Sequence, residues 1–78
     1  MNCVAETVSV NVNSLVFVTA DGAIIFSGRD TEGQRVRVVA ANRALPRPPV
    51  VGEIWTVDGS YRHHPKYGRQ LYATRASY

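Results

Sequence analysis

The sequence predicts a small all-β domain, and two observations carry that prediction. Apolar and polar residues alternate with a period of two in several segments, whereas no long segment has apolar residues at helical spacing. Turn-forming residues, mainly glycine and proline, separate these segments at short intervals. With 78 residues, the chain has room for one domain whose core is a single compact layer or barrel.

The first predicted strand begins with three alternating valines, Val8, Val10 and Val12. The pattern changes phase at Ser14, which predicts one long strand with a bulge near Asn13 and Ser14. Two apolar sets are compatible with the phase after the bulge, namely Val16 with Val18 or Leu15 with Phe17.

The next two predicted strands are joined by short polar turns. Asp21-Gly22 predicts a hairpin turn, because glycine supplies the positive φ that a tight turn needs, and the second strand follows over residues 23–28. A polar turn over residues 29–33 precedes the third strand, over residues 34–40. In that strand Val36, Val38 and Ala40 are expected on one side, with Arg35 and Arg37 on the other.

The segment from residue 42 to residue 52 contains three prolines, which cannot donate to a central ladder. It therefore predicts an extended connector, with at most one helical turn near residues 41–45. The fourth strand is expected over residues 54–62 with Trp55 and Val57 as core anchors, and the fifth over residues 69–77 with Leu71 and Ala73 inward.

Five short strands, with the longest connection between the third and the fourth, are the outline of a five-stranded OB-fold barrel. An SH3-like barrel is the alternative. The two folds differ in strand order and in the third connection.

The charge pattern favours an anionic partner. The net charge is +3, eight of the nine cations are arginine, and no acidic residue follows Asp58. Arginine has a planar fork that matches phosphate and stacks on bases, so nucleic acid is one interpretation of this basic segment. A solvated barrel rim is the other.

The composition indicates a soluble protein in a reducing compartment. Cys3 is the only cysteine, so an internal disulfide is not available, and a cytoplasmic location is expected. No apolar run approaches the roughly 20 residues that span a bilayer, and the first six residues lack the features of a signal peptide. We expect a monomer with no membrane partner.

The turn between the last two strands, residues 63–68, carries more chemistry than chain reversal requires. Pro65 and Gly68 satisfy the turn geometry. Lys66, with Arg62 and Arg69 beside the turn, could neutralise phosphates, and the rings of His64 and Tyr67 could stack on bases. Alternatively, Tyr67 packs back on Tyr72 or Trp55 and holds the hairpin shut. The two histidines, His63 and His64, are interpreted as cations that strengthen phosphate contacts as the pH falls toward about 6.

Metal binding and catalysis are both disfavoured. Cys3, His63 and His64 are the only thiol and imidazole groups, and adjacent strand residues point to opposite faces, so the two histidines would rarely share an ion. Neither Ser60 nor Ser77 has a plausible base with an orienting acid. We therefore expect no metal, no cofactor and no enzymatic activity.

The segment Gly59-Ser60-Tyr61-Arg62-His63-His64-Pro65-Lys66-Tyr67-Gly68-Arg69-Gln70-Leu71-Tyr72-Ala73 resembles the end of the N-terminal OB domain of bacterial RecD-like ATP-dependent DNA helicases. That family has His-Pro-Lys-Tyr-Gly-Arg-Gln at this place. Upstream, the Asn-Arg-Ala-Leu-Pro segment from residue 42 and Pro49-Val50-Val51-Gly52-Glu53 are similar to the connector of the same domain. The resemblance covers residues 13–78, and Leu71 stands where the family usually has phenylalanine.

The resemblance implies a non-catalytic accessory domain that contacts single-stranded or forked DNA beside a helicase motor. The chain has no Gly-x-x-x-x-Gly-Lys-Ser/Thr loop, so either ATP hydrolysis belongs to another part of a longer helicase or the chain is a stand-alone relative. OB-folds bind through the face of strands two and three together with the loops that join strands one to two and four to five, which adds Arg35 and Arg37, with Phe26 or Ile24 as platforms. A module that docks on the motor or another protein is the alternative, and RNA remains a third partner.

Overall fold

The computed structural model describes residues 5–14, 17–41 and 44–78, and these residues form six β-strands and no helix. The strands, in chain order, are β1 (Glu6–Val12), β2 (Phe17–Val18), β3 (Ile24–Arg29), β4 (Arg35–Ala40), β5 (Ile54–His64) and β6 (Gly68–Ser77). Within the same residues, there is no helix that is long and apolar enough to cross a membrane.

The sheet closes on itself as a barrel. Its order is β1-β5-β6-β4-β3-β2, and β1 also pairs with β3. The pairing of β4 with β6 is parallel, and the other pairings are antiparallel. Because β1 and β2 are successive parts of one barrel strand, the barrel has five strands in the order of an OB-fold, which confirms the predicted fold class.

The predicted strands match the observed ones to within two residues after the first turn. In the first strand, the predicted irregularity at Asn13 and Ser14 falls in the interval between β1 and β2. Asn13 N–H donates to the Ser27 carbonyl (3.1 Å), so the chain stays attached to β3 there. Leu15 and Val16, part of the two alternative apolar sets, lie outside the described residues.

The core is built from the inward side of every long strand. The predicted anchor Trp55 is fully buried, and Phe26 is 1% exposed, so the idea that Phe26 serves as a binding platform is wrong. Ile24 packs against the core and is only partly buried. The buried apolar residues are Val10, Val12, Phe26, Val36, Val38, Ala40, Leu45, Trp55, Val57, Leu71, Ala73 and Ala76.

The proline-rich connector has no regular strand in its described part, as predicted. Ala44 N–H donates to the Ala41 carbonyl (2.9 Å), which is compatible with the prediction of at most one helical turn near residues 41–45. Leu45 inserts into the core, and Ala76 N–H donates to the Ala44 carbonyl (3.0 Å). The connector is thereby held against β6. The first two residues of the predicted connector, 42 and 43, lie outside the described residues.

Glu53 holds the end of this connector with four hydrogen bonds. Its carboxylate accepts two from the Arg47 guanidinium (2.9 and 2.5 Å), one from Val50 N–H (2.8 Å) and one from Trp55 Nε1 (3.3 Å). Arg47 also lies over the Tyr78 ring, 4.3 Å from its centroid. Through these hydrogen bonds the Glu53 carboxylate connects the loop to the core tryptophan, and Arg47 extends the connection to the last residue.

These donors lower the pKa of Glu53 to about 2, with the hydrogen bond from Arg47 as the largest cause and the Val50 N–H as the second. A carboxyl group whose pKa is lowered by folding stabilises the fold above its ordinary value of 4.5 and loses that contribution as the pH falls toward 2. We therefore expect Glu53→Gln to be less stable than wild type at neutral pH, with the difference shrinking between pH 4.5 and pH 2.

Urea denaturation as a function of pH checks this expectation. Glu32→Gln is a matched control, because Glu32 is an exposed glutamate in the β3–β4 turn. A difference between Glu53→Gln and wild type that stayed constant down to pH 2 would contradict the assigned role of the carboxylate.

Candidate nucleic-acid interface

The β5–β6 turn consists of Pro65, Lys66 and Tyr67, and it is closed by the pairing of His64 with Gly68. Gly68 has a φ of 76°, the left-handed conformation that the sequence predicted for it. His64 Nδ1 accepts hydrogen bonds from Lys66 N–H (3.0 Å) and Tyr67 N–H (3.2 Å). The imidazole therefore caps the turn from inside.

This geometry changes the interpretation of His64. Nδ1 therefore acts as the acceptor that closes the turn, in contact with two backbone N–H groups. The role of His64 as a phosphate-binding cation stays a prediction. One face of its ring is also occupied, since it lies 4.9 Å from the Tyr67 ring at an interplanar angle of 34°. His64 therefore packs against the Tyr67 ring and supports it, and Tyr67 is the ring that faces solvent.

Tyr67 neither packs on Tyr72 nor on Trp55, so that alternative is wrong. Its ring instead lies beside the Arg37 guanidinium, with Cζ 4.5 Å from the ring centroid, and Lys66 Nζ is 5.4 Å from the same centroid. The side chain remains 52% exposed. Tyr67 is thus a solvent-facing ring held in place by two cations and one imidazole.

A groove of about 240 Å³ lies on the outer side of the barrel, and Tyr67 forms part of its lining. We call it the arginine groove. Its lining residues come from three strands and the turn: Ser27, Arg35, Arg37, Tyr67 and Arg69. Within it, Arg37 Nε is buried and has no hydrogen-bond partner among the described residues. Since a buried N–H without a partner is costly, this donor favours an acceptor arriving from outside the chain.

The strand registers place a second set of side chains next to this groove. On the outer side of the barrel, Phe17 pairs with Ile25, Ile25 with Val39, and Val39 with Tyr72. These four residues form one apolar row across four strands. Its β4 member, Val39, lies two residues along the strand from Arg37. The row and the groove therefore combine flat apolar surface with guanidinium groups, as single-strand binders do.

Sequence reasoning selected none of the four residues of this row for the site, and Phe17 is the most exposed of them. It is 63% exposed, and it stands on the outer side because the strand changes phase after Ser14. The alternation alone was compatible with either face for Phe17. The strand register decides its face, so the alternation in the sequence contained no signal that would have identified it.

Two more of the predicted site residues are stacked on tyrosines. Arg62 Cζ lies 5.3 Å from the Tyr72 ring centroid, and Arg69 Cζ lies 4.1 Å from that of Tyr61. Burial raises the pKa of Tyr61, and the charge of Arg69 opposes that shift. Both guanidinium groups are oriented by aromatic faces and stay accessible at their edges. His63 pairs with Arg69 in the ladder, on the opposite side of the strand from His64.

The structure thus gathers four of the seven predicted residues, Arg35, Arg37, Tyr67 and Arg69, in one groove. Lys66 borders it through its contact with Tyr67, Arg62 lies over the neighbouring Tyr72, and His64 acts from within the turn.

The basic side chains of the interface have no acidic partner. In the part of the chain that the structure describes, the one ion pair is Arg47 with Glu53, in the connector. The same part of the chain contains no cluster of three histidine, cysteine, aspartate or glutamate side chains that could hold a metal ion. Cys3, the third candidate ligand, lies outside the described residues.

Comparison of the chain with protein-family models and with curated protein sequences returned no match.

Proposed function

We propose that this OB-fold barrel binds single-stranded DNA, including the unpaired arm of a fork, as a non-catalytic accessory domain of a RecD-like helicase. The observation that carries the proposal is the arginine groove, where an exposed tyrosine stands beside three arginines without acidic partners. The resemblance of residues 59–73 to the helicase OB domain supports the choice of DNA and of a helicase.

In the proposed complex, the cations and the rings have separate tasks. Arg35, Arg37 and Arg69 contact phosphates, and the unpartnered Nε of Arg37 donates to one of their oxygens. Tyr67 and Phe17 present flat faces to unstacked bases, each worth about 1–3 kcal/mol. Such a small set of contacts gives modest affinity, which suits a domain that guides a strand while the motor does the work.

Titration of a fluorescent oligothymidylate at several salt concentrations tests the proposal. We expect binding that weakens steeply with salt, and Lys66→Ala should reduce the slope of log K against log[salt] by about 0.7 to 1. Arg75→Ala is the matched control, because Arg75 is an exposed cation of β6 that lies about 20 Å along the strand from Arg69 at ~3.3 Å per residue.

Absence of binding at low salt, even at high micromolar protein, would contradict the proposal. An equal effect of Lys66→Ala and Arg75→Ala would show that net charge, and not this turn, drives association. Tighter binding of the matching oligouridylate would assign the interface to RNA.

A second candidate function, docking on the helicase motor, is favoured by one separate observation. Val50, Val51 and Ile54 are each more than half exposed and adjoin one another where the connector enters β5. Ile54 lies eight residues from Arg62 on β5, about 26 Å at ~3.3 Å per residue. Chemical-shift changes confined to these three residues on addition of the motor, with none at Tyr67 on addition of DNA, would favour docking over strand binding.

A further inference from the structure

A second hollow of the described surface lies outside the arginine groove. It has a volume of about 430 Å³, and we call it the Tyr72 hollow. It opens on the outer side of the barrel, where the end of β4 and the middle of β6 meet β5 and the β2–β3 turn. Its lining includes Val39, Tyr72 and Ala73 below, with Ser60, Arg62 and Asp21 around them.

The hollow has the size and chemistry of a nucleobase site. Ligand pockets start at about 300 Å³ and combine an apolar lining with a few polar groups that fix orientation. The Tyr72 ring is anchored by its hydroxyl, which donates to Gln70 Oε1 (3.1 Å), and Gln70 is itself only 3% exposed. The Arg62 guanidinium over this ring offers a second flat surface, so a planar ligand would find both an aromatic and a cationic partner.

Asp21 adds a feature that the arginine groove lacks. It lies in the β2–β3 turn beside Gly22, whose φ is 90°. The hydroxyl of Thr19 donates to Asp21 Oδ1, and this bond is the main cause of a pKa below the ordinary value of the carboxyl group. The hollow is therefore bordered by an ionised carboxylate on the turn and by a guanidinium on β5.

A carboxylate accepts hydrogen bonds and cannot donate them. Against phosphate it is repulsive, so Asp21 disfavours a simple backbone contact at this end of the hollow. Among unpaired bases, guanine presents two adjacent donors on its Watson–Crick edge, N1–H and the N2 amino group, whereas thymine presents one donor between two acceptors. The pair of guanine donors matches the two carboxylate oxygens.

We propose that the Tyr72 hollow binds one unstacked guanine of the bound strand, with Tyr72 and Arg62 against the ring and Asp21 on its Watson–Crick edge. This inference rests on the proposed function, because the strand must first be bound through the arginine groove. It goes beyond that function by making the domain selective for base identity at one position.

The test compares an oligothymidylate with the same oligonucleotide carrying one central guanine or one central adenine. Wild type is expected to bind the guanine form about 5- to 150-fold more tightly than the other two, the range for one bidentate base contact. Asp21→Asn is expected to remove most of this preference, since an amide presents one acceptor, and it should not weaken oligothymidylate binding, because it removes a negative charge. Asn-Gly is a favoured hairpin sequence, so the turn is retained.

Two further variants complete the design. Asp30→Asn is the control, because Asp30 is also a turn aspartate, but one that accepts Glu32 N–H and Gln34 N–H away from the hollow. Ala41→Leu introduces bulk at an exposed alanine of the lining and should remove the preference without altering charge. Loss of the preference in either variant, with the fold retained, would support the proposal, so the test still works if one of the two folds poorly.

Equal affinity of wild type for the three oligonucleotides, or an unchanged preference in both variants, would overturn the guanine site while leaving the proposed function in place. Failure of wild type to bind any of the three would instead overturn the proposed function and this inference with it.

Discussion

Gly59→Ala is expected to destabilise the fold by about 3 kcal/mol or more, the upper end for overpacking in a closed interior. A Cβ atom at residue 59 would lie 2.2 Å from the Tyr72 carbonyl oxygen, 2.8 Å from its carbon and 3.0 Å from Ala73 Cα. All three are backbone atoms of the paired strand β6, so no side-chain rotation relieves the clash. The β5–β6 ladder would have to separate.

The position of Gly59 explains why the backbones approach so closely. It is buried at a register shift in the β5–β6 ladder, where Asp58 pairs with Arg75 and Gly59 with Ala73, so that β6 carries one extra residue. Irregular pairing of this type raises the local twist and brings a residue against the neighbouring strand. Only a residue without a side chain fits there.

Guanidinium chloride denaturation measures this effect, and Gly33→Ala is the matched control. Gly33 has a φ of 80°, but a Cβ at that position would meet no atom within 4 Å. Its replacement should therefore cost only the conformational strain, about 1 kcal/mol. A loss for Gly59→Ala no larger than that for Gly33→Ala would contradict the close approach of the two backbones at residue 59.

Tyr67→Ala is expected to weaken binding of single-stranded DNA by about 5- to 150-fold, the equivalent of one stacked base. The ring is 52% exposed and held between Arg37 and His64, so it is ordered before the ligand arrives. Preorganisation of this kind reduces the entropic cost of binding. The removal of a neutral ring should leave the salt dependence nearly unchanged.

Oligonucleotide titration of Tyr67→Phe and Tyr78→Ala accompanies this measurement. Tyr67→Phe keeps the flat face and should bind nearly as well as wild type. Tyr78 is another exposed tyrosine beside an arginine, but it belongs to the Arg47 cluster in the connector region. Equal losses for Tyr67→Ala and Tyr78→Ala would contradict a stacking role for Tyr67.

Gly59→Ala tests the β5–β6 ladder, and Tyr67→Ala tests the turn at the end of that ladder. Gly59 keeps β5 and β6 close, and the turn at the end of these two strands presents Tyr67. The parallel pairing of β4 with β6 then places Arg37 next to that turn. Loss of the ladder should therefore disrupt the groove, whereas loss of the tyrosine should leave the ladder intact.

Much of the fold follows from local sequence properties. The alternation in residues 34–40 predicts Val36, Val38 and Ala40 in the core, and they are buried. Glycine at residues 22 and 68 predicts turns with positive φ, and both have it. Such features depend on neighbouring residues and on the period of a strand, so they can be inferred without knowing which strands pair.

The candidate site depends on which strands become neighbours. Ser27, Arg37 and Tyr67 are far apart in the chain, and only the β3–β4 and β4–β6 pairings bring them into one groove. The exposure of Phe17 and the burial of Phe26 likewise follow from register, since a shift by one residue would exchange their faces.

The sequence by itself therefore determined the all-β class, the strand limits and the basic character of the last turn, because these depend on composition and short-range pattern. The tertiary structure alone decided that His64 caps the turn, that Tyr67 faces solvent beside Arg37, and that Asp21 borders a hollow with Arg62. These relations arise from barrel closure, which sets long-range distances that no local pattern contains.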